Sequence, residues 1–418
     1  MNKILKIKFA LTLILISGSL LVHSQEMPEN YLVEAASNNP GLKGKFNEYL
    51  AALEKIPQAG ALPDPQITFG YFIQPVETRL GPQKARISAS QMFPWFGTLG
   101  AKEDVAAEMA KSKYEMFEDA KSRLFYDVKS TWYNLCFTRK AIAVTTENHI
   151  LLNSLRKLAL VRVESGLALA SDVLRVEMEI ADLETQLSLL KDSYFELQVT
   201  FNNLLNVDEL RVVNTTDSLI NNDFDLTREA VLDSIRNNNH SIRQLEFAGA
   251  SYSKQSIAAR KLGSPGFMAG IDYVAVGENA NSMAGILESG KDAIAFPVMG
   301  ITIPLYRKKY TSMIKEASLM QESTENAKLD KINMLETTFE KANKEYRDAD
   351  RRIRLYAGQS DKASKSLKIL QVAYETDGKN FEELLRMERQ LLRYELELEK
   401  ALADKNSAIA FINYLMGK

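Results

Sequence analysis

Enzymatic chemistry needs nucleophiles, acid–base pairs or metal ligands, and this sequence supplies few of them. Cys136 is the one cysteine, and the three histidines are His23, His149 and His240. Cys136 lies beside Trp132 and Leu135 in an apolar helical context, where a thiol acts as a small buried hydrophobe. No His/Cys cluster has metal-ligand spacing. There is no G-x-S-x-G, phosphate-binding glycine loop, H-E-x-x-H or nucleophile–histidine pair. Met268, Met283 and Met299 are soft donors of the kind that bind Cu(I), but apolar filling is the readier role for each. The expectation is a protein that is not an enzyme and needs no cofactor. The formal net charge of −2 gives no electrostatic reason to expect nucleic acid as a partner.

The composition of residues 91–115, QMFPWFGTLGAKEDVAAEMAKSKYE, raises a different possibility. An apolar, aromatic run, Phe93-Pro94-Trp95-Phe96, stands at the mouth of a long charged helix. Such a run suits a membrane boundary, where aromatic rings tolerate both phases, and Pro94 cannot donate to a strand ladder. The same device recurs at Ile303-Pro304-Leu305-Tyr306. Ordinary core in a soluble α+β domain is the alternative reading. At the N-terminus, Lys3, Lys6 and Lys8 precede an apolar core over 9–22 and then His23-Ser24-Gln25. This is the pattern of a secretory signal peptide over 1–24, and it predicts a mature chain outside the cytoplasm. No cysteine near the cut invites lipidation. No other segment has the roughly 18 apolar residues of a membrane helix, so a spanning structure would be a barrel.

The elements that carry these junctions follow from proline placement. No proline lies between Pro94 and Pro265 or after Pro304, and an interior proline costs a helix about 3 kcal/mol. The first tract predicts a helix over 99–163, about 100 Å long. Phe117, Leu124, Val128, Trp132 and Leu135 form its apolar face, and a break follows at Gly166. A second helix over 171–205 carries a heptad seam of Leu183, Leu187, Leu190, Tyr194, Leu197, Phe201 and Leu204. The pattern then repeats. SDVLRVE at 171–177 matches EELLRME 211 positions on, and FNNLLN at 201–206 matches INYLMG at the same offset.

The domain organisation expected is therefore a first repeat over 25–206 with a β-hairpin at 65–94 and a helical hairpin at 97–206. A linker at 207–224 leads to a second repeat over 225–418, with a β-hairpin at 266–304 and a helical hairpin at 306–417. Alternation is visible at Phe267, Ala269, Ile271, Tyr273 and Ala275, with Asp272 on the other face, while Pro297 argues against a regular central strand. Strands of about 9–11 residues can cross a membrane, yet four cannot close a barrel. Two chains would give 8 strands and three would give 12, and periodicity does not choose.

With these features the chain resembles the TolC family of outer-membrane efflux channels over nearly all of its mature length. PDPQITFGYFIQPVETRLGP and SQMFPWFGTLGAK are similar to the branch found beside resistance–nodulation–division metal and drug pumps. The resemblance implies a mainly α fold with transmembrane β: a homotrimer sharing one 12-stranded barrel, continuous with a periplasmic helical tunnel. It implies a passive exit duct in the outer membrane lipid, served by a periplasmic membrane-fusion adaptor and an inner-membrane efflux pump. Adaptor docking falls to the hairpin tips, at Val163, Ser165, Gly166 and Leu167 and at Thr376, Asp377, Gly378 and Phe381. The periplasmic gate falls to Asp172, Glu382 and Glu383, with Arg175 and Arg386 close by and Glu383 as first choice for an acidic ring. The membrane-interface junction is Phe93, Pro94, Trp95, Phe96, Pro304 and Tyr306. Metal ions or drugs are the expected cargo; type I protein secretion and, less readily, a soluble periplasmic coiled-coil scaffold are the alternatives.

Overall fold

The structure is a computed structural model that describes residues 27–278, 290–377 and 380–418. The expected signal segment, Met283, Gly378 and the side chain of Asp377 lie outside the described residues. Helices α1 (Asn30–Asn38) and α2 (Pro40–Gly60) lead into strands β1 (Gln66–Thr78) and β2 (Gly81–Phe93), then into α3 (Thr98–Glu164) and α4 (Ala170–Leu205). The order then repeats as α5 (Arg228–Asn238), α6 (His240–Leu262), β3 (Gly266–Val276), β4 (Ala293–Thr302), α7 (Arg307–Asp377) and α8 (Phe381–Leu415). The 67 residues of α3 correspond to the 71 of α7, and the 36 of α4 to the 35 of α8. Proline-free sequence permits the long helices; the one interior proline, Pro57, falls in the shorter α2.

Both short helices of the matched ends stop in the same way. Asn206 and Gly417, at equivalent positions, take positive φ of 52° and 74°. The next amides then reach back, Val207 N to Asn202 O at 3.1 Å and Lys418 N to Asn413 O at 3.0 Å. This is the Schellman closure, which satisfies the last helix carbonyls.

The chain forms two compact units, and each takes segments from both sequence halves. One comprises Met1–Gly44, Glu118–Asn239 and Asn333–Lys418; the other Lys45–Phe117 and His240–Ile332. In the first, the ends of α3 and α7 and the starts of α4 and α8 share one core. Leu152, Leu155, Ala159, Val176, Ile180, Leu183, Leu367, Tyr374, Phe381, Leu384, Leu385 and Leu392 build it. Each large apolar side chain buried there contributes roughly 1.5–3 kcal/mol. The heptad residue Leu183 is fully in this core, while Leu187, Leu190, Tyr194 and Leu197 are half-buried.

The polar linker is clamped rather than loose. Lys405 of α8 has no exposed side-chain surface and places Nζ 2.7 Å from Asn221 Oδ1, 2.9 Å from Asp223 Oδ1 and 3.0 Å from Asp350 Oδ1. Its three donors are thereby satisfied, as a buried ammonium requires. Trp132 Nε1 donates to Asn214 O at 2.9 Å from the other repeat. The second unit holds the sheet and the helix segments next to it. There Glu115 of α3 is buried and held by His240 Nδ1 at 2.7 Å and Arg243 Nη2 at 2.9 Å.

Candidate functional site

The four strands form one antiparallel sheet in the order β1-β2-β3-β4. Residues opposite each other across such a ladder share a face, and neighbours along a strand alternate. Ile67, Phe69 and Tyr71 stand opposite Ala89, Ile87 and Ala85. Those in turn face Ile271, Tyr273 and Ala275. On β4, Ile301 and Met299 stand opposite Phe267 and Ala269, and Ile294 opposite Tyr273. Apart from Gln91, which stands opposite Ala269 near the helix end, this face is apolar or aromatic. The other carries Gln66, Thr68 and Gly70 beside Ser90, Ser88 and Arg86, followed by Gly270, Asp272 and Val274.

Ile67, Phe69, Tyr71 and Ile73 on β1 and Ile294, Phe296, Met299 and Ile301 on β4 are all exposed. Among the described residues no element covers the apolar face of these strands, and β1 and β4 each lack a second neighbour in the sheet. A sheet so exposed gains little from burial and leaves ladder groups unpaired. Its chemistry asks for lipid against one face, water against the other and further strands at both edges. From Phe93 to Ala85 the apolar face runs about 26 Å along β2, close to the apolar band of an outer-membrane barrel. Pro297 sits where the β3–β4 register shifts between Val298 and Ala295. It occupies an irregularity in an edge strand, one of the few strand positions that tolerate proline. Met268 and Met299 point to opposite faces of the sheet, so they do not form a thioether site.

At the helix end of the sheet the two junctions have the expected order. β2 stops at Phe93 and α3 starts at Thr98; β4 stops at Thr302 and α7 starts at Arg307. Trp95 stacks on Phe267 at 5.8 Å, and Phe96 lies 6.0 Å from the same ring. Phe96 and Tyr306 are 77% and 86% exposed, more than a soluble core residue would be. Gly97 turns the chain with φ of 71°, which lets Thr98 N donate to Trp95 O at 3.0 Å.

The helix tips lie in the first unit. Gly166 has φ of 71°, and Leu167 N reaches Arg162 O at 2.8 Å, so α3 also ends in a Schellman turn. Asn380 takes the positive φ of 67° on the other tip. Of the expected docking residues, Ser165, Gly166, Leu167 and Thr376 are exposed and Val163 is half-buried. Phe381 differs from the expectation: it is buried against Tyr374, with ring centroids 4.8 Å apart. Its ring packs in the shared core at the first turn of α8, and the residue also lines the cleft that holds the gate residues. Sequence reasoning missed the group that joins the tips. Arg162 lies over the Tyr374 ring at 5.2 Å, and its Nη1 donates to Tyr374 O at 2.8 Å and Glu375 O at 3.0 Å. One α3 side chain thus caps the final carbonyls of α7.

The five expected gate residues converge. Asp172, Arg175, Glu382, Glu383 and Arg386 line one cleft of about 670 Å³ together with Leu169 and Phe381. Arg175 crosses from α4 to Glu382 of α8 at 3.0 Å, and Glu383 is paired with Arg386 one turn on. Arg389 adds a 2.6 Å bridge to Glu179. The acids are therefore compensated within the chain, and Asp172 is buried. Exposed pairs of this kind contribute little stability each. Arg175–Glu382 and Arg389–Glu179 join α4 to α8, whereas Glu383–Arg386 lies within α8.

Glu388 was not legible as special. It is 2% exposed, accepts from Asn148 Nδ2 at 2.6 Å through Oε1, and leaves Oε2 without a partner. Burial, then repulsion from Glu395, pushes its carboxyl up to about 7. Burial also raises Glu395 and Glu399, further along the same helix. In the sequence Glu388 sits in a charged run, LLRMERQLLR, that reads as a solvated helix face. Cys136 is buried with its thiol raised to about 11 by burial, which makes it inert. Among the described residues no helix is long and apolar enough to cross a membrane, and no group of three His, Cys, Asp or Glu could hold a metal.

No protein-family model and no curated protein sequence matches the chain. Solved structures do. A membrane protein from Pseudomonas aeruginosa aligns with a TM-score of 0.75 at 15% identity, over 94% of this chain and 93% of that one. CusC, studied for its folding and transmembrane channel formation, aligns at 0.74 and 14% identity, over 93% and 91%. The outer membrane protein VceC from Vibrio cholerae aligns at 0.74 and 14%, over 93% and 95%. The chain therefore has the fold expected from its resemblance to the TolC family, across nearly its full length.

Proposed function

We propose that this chain is the outer-membrane channel component of a tripartite efflux system. It acts as a passive exit duct for metal ions or drugs, delivered by an inner-membrane pump through a periplasmic adaptor. The sheet carries this reading: four strands, both edges open, one face apolar and uncovered, the other polar. A soluble scaffold has no use for such a surface. Three copies would close a 12-stranded barrel, with the helical hairpins as its periplasmic tunnel and the tips as the adaptor's docking site. Energy comes from the pump, so the chain itself needs no catalytic group. The full-length fold likeness to a transmembrane channel former and an outer membrane protein supports the same reading.

The test is fractionation and native mass of the processed protein. Recovery from the outer membrane as a detergent-stable trimer that conducts ions in a planar bilayer is the expected result. A soluble periplasmic monomer would overturn the proposal.

A further inference from the structure

Within the apolar band of the sheet only two residues are charged. The strand segments 66–71, 85–93, 266–275 and 293–302 contain Arg86 and Asp272 and no other ionisable acid or base except tyrosine. Both lie on the polar face. Arg86 is paired with Asp272 across the β2–β3 ladder, and its Nε donates to Ser88 Oγ at 3.1 Å. The surrounding positions of that face are small or neutral: Thr68, Gly70, Ser90, Gly270, Ala293 and Ala295. No other charge lies within these segments; Lys84, two positions from Arg86 on β2, stands just outside them. The Arg86 side chain retains 51% exposure and that of Asp272 15%, so the guanidinium reaches out from the wall while the carboxylate lies against it.

We infer that Arg86 and Asp272 form the charge-selectivity ring of the lumen, in which mutual neutralisation keeps the barrel open to solutes of either sign. The inference rests on the proposed channel function and adds a named determinant to it. Charges on a lumenal wall tune selectivity, and rings of one sign favour counter-ions. In a closed assembly each subunit brings one pair to the same level. Removing either partner leaves a ring of like charge facing the lumen, where it attracts counter-ions and repels co-ions.

A reporter cysteine reads that field without depending on the helix tips. Thr68→Cys places a thiol on the polar face, opposite Ser88. Phe69→Cys, the next residue, places one on the apolar face. The assembled protein in outer-membrane vesicles is treated with cationic and anionic methanethiosulfonates. Thr68→Cys reacts and Phe69→Cys is protected. In the Thr68→Cys background, Arg86→Gln raises the cationic-to-anionic rate ratio and Asp272→Asn lowers it. The two variants differ by about tenfold at low salt, and the difference shrinks as salt rises. The double variant Arg86→Gln/Asp272→Asn returns the ratio to that of the parent, which also shows that the barrel tolerates the changes. If Thr68→Cys alone is labelled but neither single variant moves the ratio, the selectivity ring is wrong and the channel stands. If both reporters react alike, the face assignment and the proposed function fall together.

Discussion

Single residues buried in the helical bundle carry consequences that can be measured. The Glu388 carboxyl is raised from its ordinary value of 4.5 to about 7, chiefly by burial. The folded chain therefore holds a proton that the unfolded chain releases above that ordinary value. Its contribution to stability is complete below about pH 4.5 and is lost as pH rises through about 7. Glu388→Gln keeps an acceptor for Asn148 and removes the titration. The variant should match the wild type near pH 4.5 and exceed it at pH 8 by on the order of 3 kcal/mol. Denaturant midpoints at the two pH values check this, and a gap that does not change with pH would clear Glu388 of the role. Lys405 is the opposite case, a buried charge with every donor used. Lys405→Met leaves Asp350 with Arg354 as its remaining partner and releases the segment around Asn221 and Asp223. A loss of roughly 2–3 kcal/mol is expected, together with faster proteolysis within 207–224. Unchanged cleavage there would mean that the linker is held instead by Trp132 and by Asn406, whose Nδ2 donates to Ile220 O at 2.9 Å.

Elements divide into those that the sequence announces and those that it hides. Long helices are one-dimensional facts. Absence of proline and the glycine at 166 suffice to place α3 and α4 within a residue or two, and the 211-residue offset carries the same layout to the second hairpin. The strands are legible through alternation, but β1 and β2 run on to Thr78 and back from Gly81, through the turn-rich stretch 75–82 inside the expected hairpin. Two-residue turn geometry and β-propensity at Val76 and Thr78 outweighed the proline at 75. Contacts between distant segments were not legible. Arg162 and Tyr374 are 212 positions apart, and nothing local marks either as a partner. Their latch predicts that Arg162→Gln frees two α7 carbonyls and weakens the tip by about 1–2 kcal/mol. Amide hydrogen exchange over 366–376 should then quicken, while exchange in the distant start of α7 stays as it was. Uniform acceleration along α7 would instead indicate general destabilisation.

At the scale of the whole molecule, the sheet poses a problem that one chain does not solve. Every residue of β1 except Phe72 and Thr78 is exposed, and both sheet edges are free. A domain sheet owes its stability to a face packed on a core; here the apolar face packs on nothing among the described residues. The helices, by contrast, bury Trp132, Phe201, Phe339 and Tyr374 within their own subunit. Assembly should therefore govern the strands and not the helices. When the native oligomer is dissociated stepwise in detergent, the β signal in the amide I band should vanish together with the oligomer's sedimentation boundary. Helical circular dichroism should survive to higher denaturant. On the proposed assembly the order of events follows from where the apolar surface is buried: between subunits and lipid for the strands, within the subunit for the helices. A monomer that keeps its β signal would mean that the sheet is stable without neighbours, and the shared barrel would lose its physical basis.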